Sequence, residues 1–170
     1  LIVREDHDAS DGIYFEDTRI ARDLMVGAGF TRVDTLFRRN SSDREDVHAA
    51  VTEGRSFVNY RGQATFNWWV PFDCDPEETG PAGGLPIVMS ATCGTGKFDA
   101  DGYACENWMR AGTPEAPRGA VAFCGSSLFD SPVAELRSAV NQAFYRAIFE
   151  EGARTLGDAF EAGRLNLHEL

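Results

Sequence analysis

Cys93 follows the apolar run Ile87-Val88-Met89 and the small residues Ser90-Ala91-Thr92, and precedes Gly94-Thr95-Gly96. A thiol delivered at the carboxyl end of a buried strand can attack a carbonyl carbon, and glycines beside it let the backbone approach a substrate closely. Those glycines can also aim N–H groups at a developing oxyanion. The competing reading is a small buried hydrophobe, the usual state of an unpaired cysteine. Cys74, Cys93, Cys105 and Cys124 do not make a disulfide framework in a chain of 170 residues, and no Cys-x-x-Cys pair occurs. His7, His48 and His168 lie far apart, which argues against a zinc site. The hard oxygens of Asp73, Asp75, Glu77 and Glu78 could hold calcium, but they lack the glycine-turn spacing of an EF-hand. Solvated loop charge is the simpler reading, and no metal or cofactor is expected.

The elements that position the thiol can be read in order. Leu1-Ile2-Val3 ends a first strand and runs into an acidic loop, 4–12, that carries His7. Residues 13–28 repeat apolar side chains at helical spacing, and Gly27 and Gly29 stop them. A second strand is expected over 30–37, and a short helix capped by Ser42 and Asp43 over 42–53. A third strand spans 56–60, the thiol-bearing fourth 85–90 and a fifth 119–124, with a short helix over 102–111. Ser131-Pro132 opens a long helix to about 151, whose Phe144, Ile148 and Phe149 stripe is core, and a last helix covers 154–166. Strands alternating with helices predict a mostly parallel sheet in a three-layer α/β/α sandwich. The two connections too long to be mere links, 61–84 and 94–104, both leave carboxyl ends of strands, where ligands bind in open α/β sheets.

Four stretches then resemble the gingipain-type cysteine peptidases, relatives of caspases in fold. They are Val58-Asn-Tyr-Arg-Gly62, Cys93-Gly-Thr-Gly-Lys-Phe-Asp99, Cys105-Glu106 with Arg110, and Gly119-Ala-Val-Ala-Phe-Cys-Gly-Ser-Ser127. The resemblance implies a single peptidase domain over 1–170 with Cys93 as nucleophile. It also implies a catalytic histidine in the loop after the third strand, but that position falls on Gln63, and Ala64 stands where a glycine follows. A glutamine cannot take the proton of a thiol, so the base is left unassigned. Ala64 could still give its backbone N–H to an oxyanion. His7, at the carboxyl edge of the sheet, is the candidate base, and the competing reading is a solvated histidine in an acidic run. Trp68 and Trp69, with Phe66 and Phe72, could line a substrate pocket, and the competing reading is loop aromatics tucked onto the domain. Ser126 and Ser127 match a family loop near the cleft and are candidate specificity residues.

Composition bounds the partners. A net charge of −11, with no basic run, argues against a phosphate-binding surface, so neither nucleic acid nor an anionic membrane is expected as a main partner. No apolar stretch is long enough to span a bilayer. The chain opens on Leu1 within an apolar run, and the expectation is a piece of a longer protein that contacts its upstream part. The resemblance implies a polypeptide substrate and an extracellular or cell-surface location. The alternative from another class is a catalytically inactive, peptidase-like binding or accessory domain of a larger exported protein. A flavodoxin-like domain is weaker, because the acidic 4–12 segment would repel phosphate.

Overall fold

The computed structural model describes residues 1–4, 11–37, 42–65, 69–70, 72–80, 83–127 and 134–167. Five strands, β1 (Ile2–Arg4), β2 (Thr35–Phe37), β3 (Phe57–Arg61), β4 (Ile87–Ala91) and β5 (Ala122–Gly125), form one sheet in the order β2-β1-β3-β4-β5. Every pairing is parallel. The helices are α1 (Asp11–Gly27), α2 (Arg44–Thr52), α3 (Ala104–Arg110), α4 (Ala134–Phe149) and α5 (Leu156–Asn166).

The pleat explains why β1 and β4 open with apolar residues at successive positions. Val3, Val58, Tyr60 and Val88 face a cluster built on α2, α3, Trp69 and Phe72. Their neighbours Ile2, Met89 and Ala91 face the opposite cluster, on α1, α4 and α5. A strand covered on both faces needs apolar side chains on both, which is the signature of a buried parallel sheet. This is the three-layer sandwich that the sequence predicts.

Local chemistry sets the element ends. Asp43 caps α2 in a reciprocal box with Asp46, and Thr155 caps α5 by accepting from Asp158 N–H. The second strand is shorter than the expected 30–37: Gly29, at φ +91°, turns the chain, and Phe30 N–H closes α1 on the Met25 carbonyl. The Phe30 ring then packs edge-on against Phe57 and Phe149 instead of extending. The fifth strand also begins late, because Gly119 at φ +73° bends the chain and Ala120 N–H bonds the Trp108 carbonyl. The expected Ser131-Pro132 start of the long helix lies outside the described residues. In the 61–84 connection, Asp75 caps a 3-10 turn, Pro76–Glu78.

Candidate active site

The register of β3 on β4 pairs Arg61 with Ala91, the last residue of each strand. Gln63 and Cys93 each lie two positions further, so adjacent parallel strands deliver both to the same edge. Thr92 clips the two exits together, its buried hydroxyl donating to the Gly62 carbonyl at 2.5 Å. Beyond Cys93 the loop turns at Gly94, φ +62°, and Gly96 N–H bonds the Ser126 carbonyl at 2.9 Å. A methyl at Gly96 would sit 2.3 Å from the Gly125 carbonyl oxygen, so only glycine lets the thiol loop lie this close to β5.

The loop after β3 is held as a small hairpin. Val70 N–H bonds the Gln63 carbonyl at 3.0 Å, and Ala64 bridges Trp69 in antiparallel sense. A bridge flanked in this way is of the non-hydrogen-bonded type, so the Ala64 N–H points out of the hairpin. Tyr60 OH also donates to the carbonyls of Gln63 and Val70. The Gln63 side chain is exposed and Cys93 is half-buried.

Cys93 has a cationic neighbour. Arg137, on the first turns of α4, donates from Nη2 to the Cys93 sulfur at 3.0 Å. A guanidinium carries donors only, so it can hold a thiolate but cannot take the proton. The other three thiols lie in different surroundings. Burial pushes the Cys74 and Cys124 thiols up, and it does the same to Cys105, which donates to the Lys97 carbonyl. His48 does not approach the thiol: it sits on α2 with Nδ1 3.9 Å from Glu78. Partial burial, helped by Arg44 and opposed by Glu78, holds its pKa below the usual value. His7 and His168 lie outside the described residues.

Behind the site runs a buried polar network. Arg61, fully buried, donates to Asp17 at 2.5 Å, to the Ala91 carbonyl at 3.0 Å, to the Ala134 carbonyl at 2.8 Å and to Ser138 at 2.9 Å. Its guanidinium also lies 4.5 Å over the Tyr14 ring. The network ties α1 and α4 to the ends of β3 and β4.

The model of peptidase family C25 matches residues 7–170. The chain belongs to peptidase family C25. The fold agrees with two solved structures. The Arg-specific cysteine proteinase gingipain R superposes with a TM-score of 0.83 at 18% identity, over 99% of this chain and 41% of that one. The complex of Porphyromonas gingivalis RgpB pro- and mature domains gives 0.82 at 17% identity, over 99% and 42%. The C25 chain thus spans about two fifths of the length of these gingipains. No curated protein sequence matches it.

Within the C25 fold, other candidate residues divide. Trp69 corrects the expectation of a substrate-pocket wall. Only 1% exposed, it stacks on Tyr60 at 4.7 Å and on Trp108 at 5.4 Å, and its Nε1 donates to Ser90. An indole that fills the core between β3 and α3 has no face left for a ligand. Phe72 is likewise core, and Trp68 and Phe66 lie outside the described residues. Ser126 and Ser127 border a cavity of about 400 Å³ between the β4 and β5 ends and helices α4 and α5.

The acidic residues of the 73–78 stretch serve the loop itself: Asp75 caps the 3-10 turn, Glu77 accepts from Gly112 N–H and Glu78 pairs with Arg44. Among the described residues, no group of three or more His, Cys, Asp or Glu could hold a metal ion. Arg137, Asp17 and the role of Arg61 were missed in the sequence. A signal existed in Ser138 and Asn141, polar positions on the face of α4 that Phe144 continues as core.

Proposed function

We propose that the chain is a cysteine endopeptidase domain in which Cys93 is the nucleophile. The observation that carries this reading is the in-register delivery of Cys93 and the family's base position, Gln63, to one sheet edge, with Arg137 on the sulfur. In the reaction the Cys93 sulfur attacks the scissile carbonyl carbon, and the thiol proton passes through a base to the leaving amine as the C–N bond breaks. Water then opens the thioester and releases the acid. The outward Ala64 N–H and the Gln63 side-chain amide are suited to the oxyanion, and Arg137 to the thiolate. Gln63 supplies no base. His7 follows three positions after Arg4, the last residue of β1, which pairs with Arg61 of β3, and His7 is the proposed base.

The chemistry requires no metal or cofactor. The proposed substrate is a polypeptide, and the proposed setting is one domain of a larger exported or cell-surface protein. Contacts with the rest of that protein are supported by exposed apolar side chains such as Phe98 (77%) and Val121 (59%). One gingipain relative is a complex of pro- and mature domains. No helix among the described residues is long and apolar enough to cross a membrane.

Gln63 itself favours a second reading, a non-catalytic binding domain on the same fold. Cleavage of a fluorogenic peptide library by wild type, Cys93→Ser and His7→Ala separates the two. Turnover abolished by both substitutions supports the endopeptidase. Wild-type turnover equal to that of Cys93→Ser leaves the binding domain.

A further inference from the structure

The cavity bordered by Ser126 and Ser127 differs in charge from the rest of the molecule. The chain carries a net charge of −11, yet among the described residues the charged side chains lining this cavity are Arg137 and Arg164. Leu136, Val140, Phe160 and Leu167 supply its apolar wall. Arg137 faces two ways: it lines the cavity, and its Nη2 holds the Cys93 sulfur. Arg164 pairs with Glu161 at 2.9 Å at the surface, where both side chains are more than half exposed, at 63% and 52%. An exposed pair of this kind is weak and yields readily to a competing carboxylate.

From this geometry we infer that the cavity is a subsite for the carboxyl-terminal residue of a peptide ending in an apolar side chain. The side chain fills the space between α4 and α5, and the terminal carboxylate takes the Arg137 and Arg164 guanidiniums. Guanidinium and carboxylate match as a bidentate pair, which selects a free carboxylate over a neutral amide. A volume of about 400 Å³ lies within the range of small-molecule sites and leaves room for an apolar residue with its carboxylate. Occupancy also competes with Cys93 for Arg137, so the ligand that fills the subsite changes the electrostatic partner of the thiol. The inference rests on the endopeptidase reading only for its meaning: a released acid product ending in an apolar residue would return to the subsite and restrain the next turnover. Binding itself needs neither a base nor a reactive thiol.

The test is a calorimetric titration of the intact chain, wild type and Cys93→Ser, with N-acetyl-L-leucine, N-acetyl-L-leucinamide and 4-methylpentanoate. The expected result is that the acid binds at least about tenfold more tightly than the amide and more tightly than 4-methylpentanoate, which lacks the peptide group. Arg137→Met should remove the preference for acid over amide, and Arg137→Lys should retain part of it. Heat-denaturation curves check that both variants fold, and Arg164→Gln gives a second reading if Arg137→Met does not. Equal affinity for acid and amide, or a preference unchanged in Arg137→Met, overturns the inference. Tighter binding of 4-methylpentanoate would assign the cavity to simple carboxylic acids and overturn the peptide occupant. Because the titration works in Cys93→Ser, binding without peptide cleavage defeats only the endopeptidase reading, and cleavage without binding defeats only the subsite.

Discussion

Replacing Asp17 by Asn tests the buried network behind the site with almost no change of shape. Asp17 is 1% exposed and accepts from Arg61 at 2.5 Å, from Ser138 at 2.7 Å and from Gln142 at 2.8 Å. The substitution removes the carboxylate charge and leaves the Arg61 guanidinium, with no exposed surface, without its counter-ion. Breaking a buried pair in this way typically costs about 3–5 kcal/mol. The carbonyls of Ala91 and Ala134 and the Ser138 hydroxyl remain as acceptors, which places the expectation near the lower figure, about 3 kcal/mol. For a chain of this size that lowers the melting temperature by roughly 6–12 °C. Urea unfolding followed by tryptophan fluorescence reads the loss as a lower midpoint at unchanged slope. The double variant Asp17→Leu/Arg61→Met, which removes both charges, should be more stable than the sum of its single losses implies. A loss in Asp17→Asn below about 1 kcal/mol, or strict additivity in the double variant, would refute the account of Arg61 as a buried ion that depends on Asp17.

Other expectations follow from the same geometry. Gln63→His places an imidazole at the position in register with Cys93 and should raise both the iodoacetamide labelling rate of Cys93 and peptide cleavage; no change in either measure would show that the β3 exit does not face the thiol. In the native protein, mass spectrometry after brief alkylation should find Cys93 modified well before Cys74, Cys105 and Cys124, whose thiols burial pushes up. Gly96→Ala, with its methyl 2.3 Å from the Gly125 carbonyl, should displace the thiol loop and slow that labelling while far-UV circular dichroism stays the same. His48 has a folded pKa held below its ordinary value of about 6.5 by partial burial, so the unfolded chain takes up the proton first. Its contribution to stability is complete above about pH 6.5 and is lost as the pH falls through the folded pKa. The urea midpoint should therefore drop less between pH 7.5 and 5.5 in His48→Gln than in wild type.

The sheet was legible because burial on both faces writes itself into Leu1-Ile2-Val3 and Ile87-Val88-Met89 as unbroken apolar runs, although the buried Asn59 and Arg61 interrupt β3. Strand ends were less so. Phe30 reads as β-forming by type, and only the contact with Phe57 and Phe149 shows that it closes a helix. Cys93 stood out because glycines follow it, whereas Arg137 looks like any surface arginine on an amphipathic helix. Its partner is 44 positions away, and nothing local to α4 encodes that meeting. Trp69 misled for a related reason. An aromatic in a long loop reads as a pocket wall until the stack with Tyr60 and Trp108 shows it folded into the core.

That stack also has an optical consequence. Trp69 and Trp108 lie 5.4 Å apart with their planes inclined by 29°, close enough for their excited states to couple. Trp69 sits in the hairpin that presents Gln63, and its Nε1 bonds Ser90, whose hydroxyl bonds Thr95 in the loop beyond Cys93. A shift of either loop changes the angle between the two indoles, and with it the near-ultraviolet circular dichroism. The protein therefore contains its own spectroscopic gauge of the two loops that meet at the thiol, readable without any label.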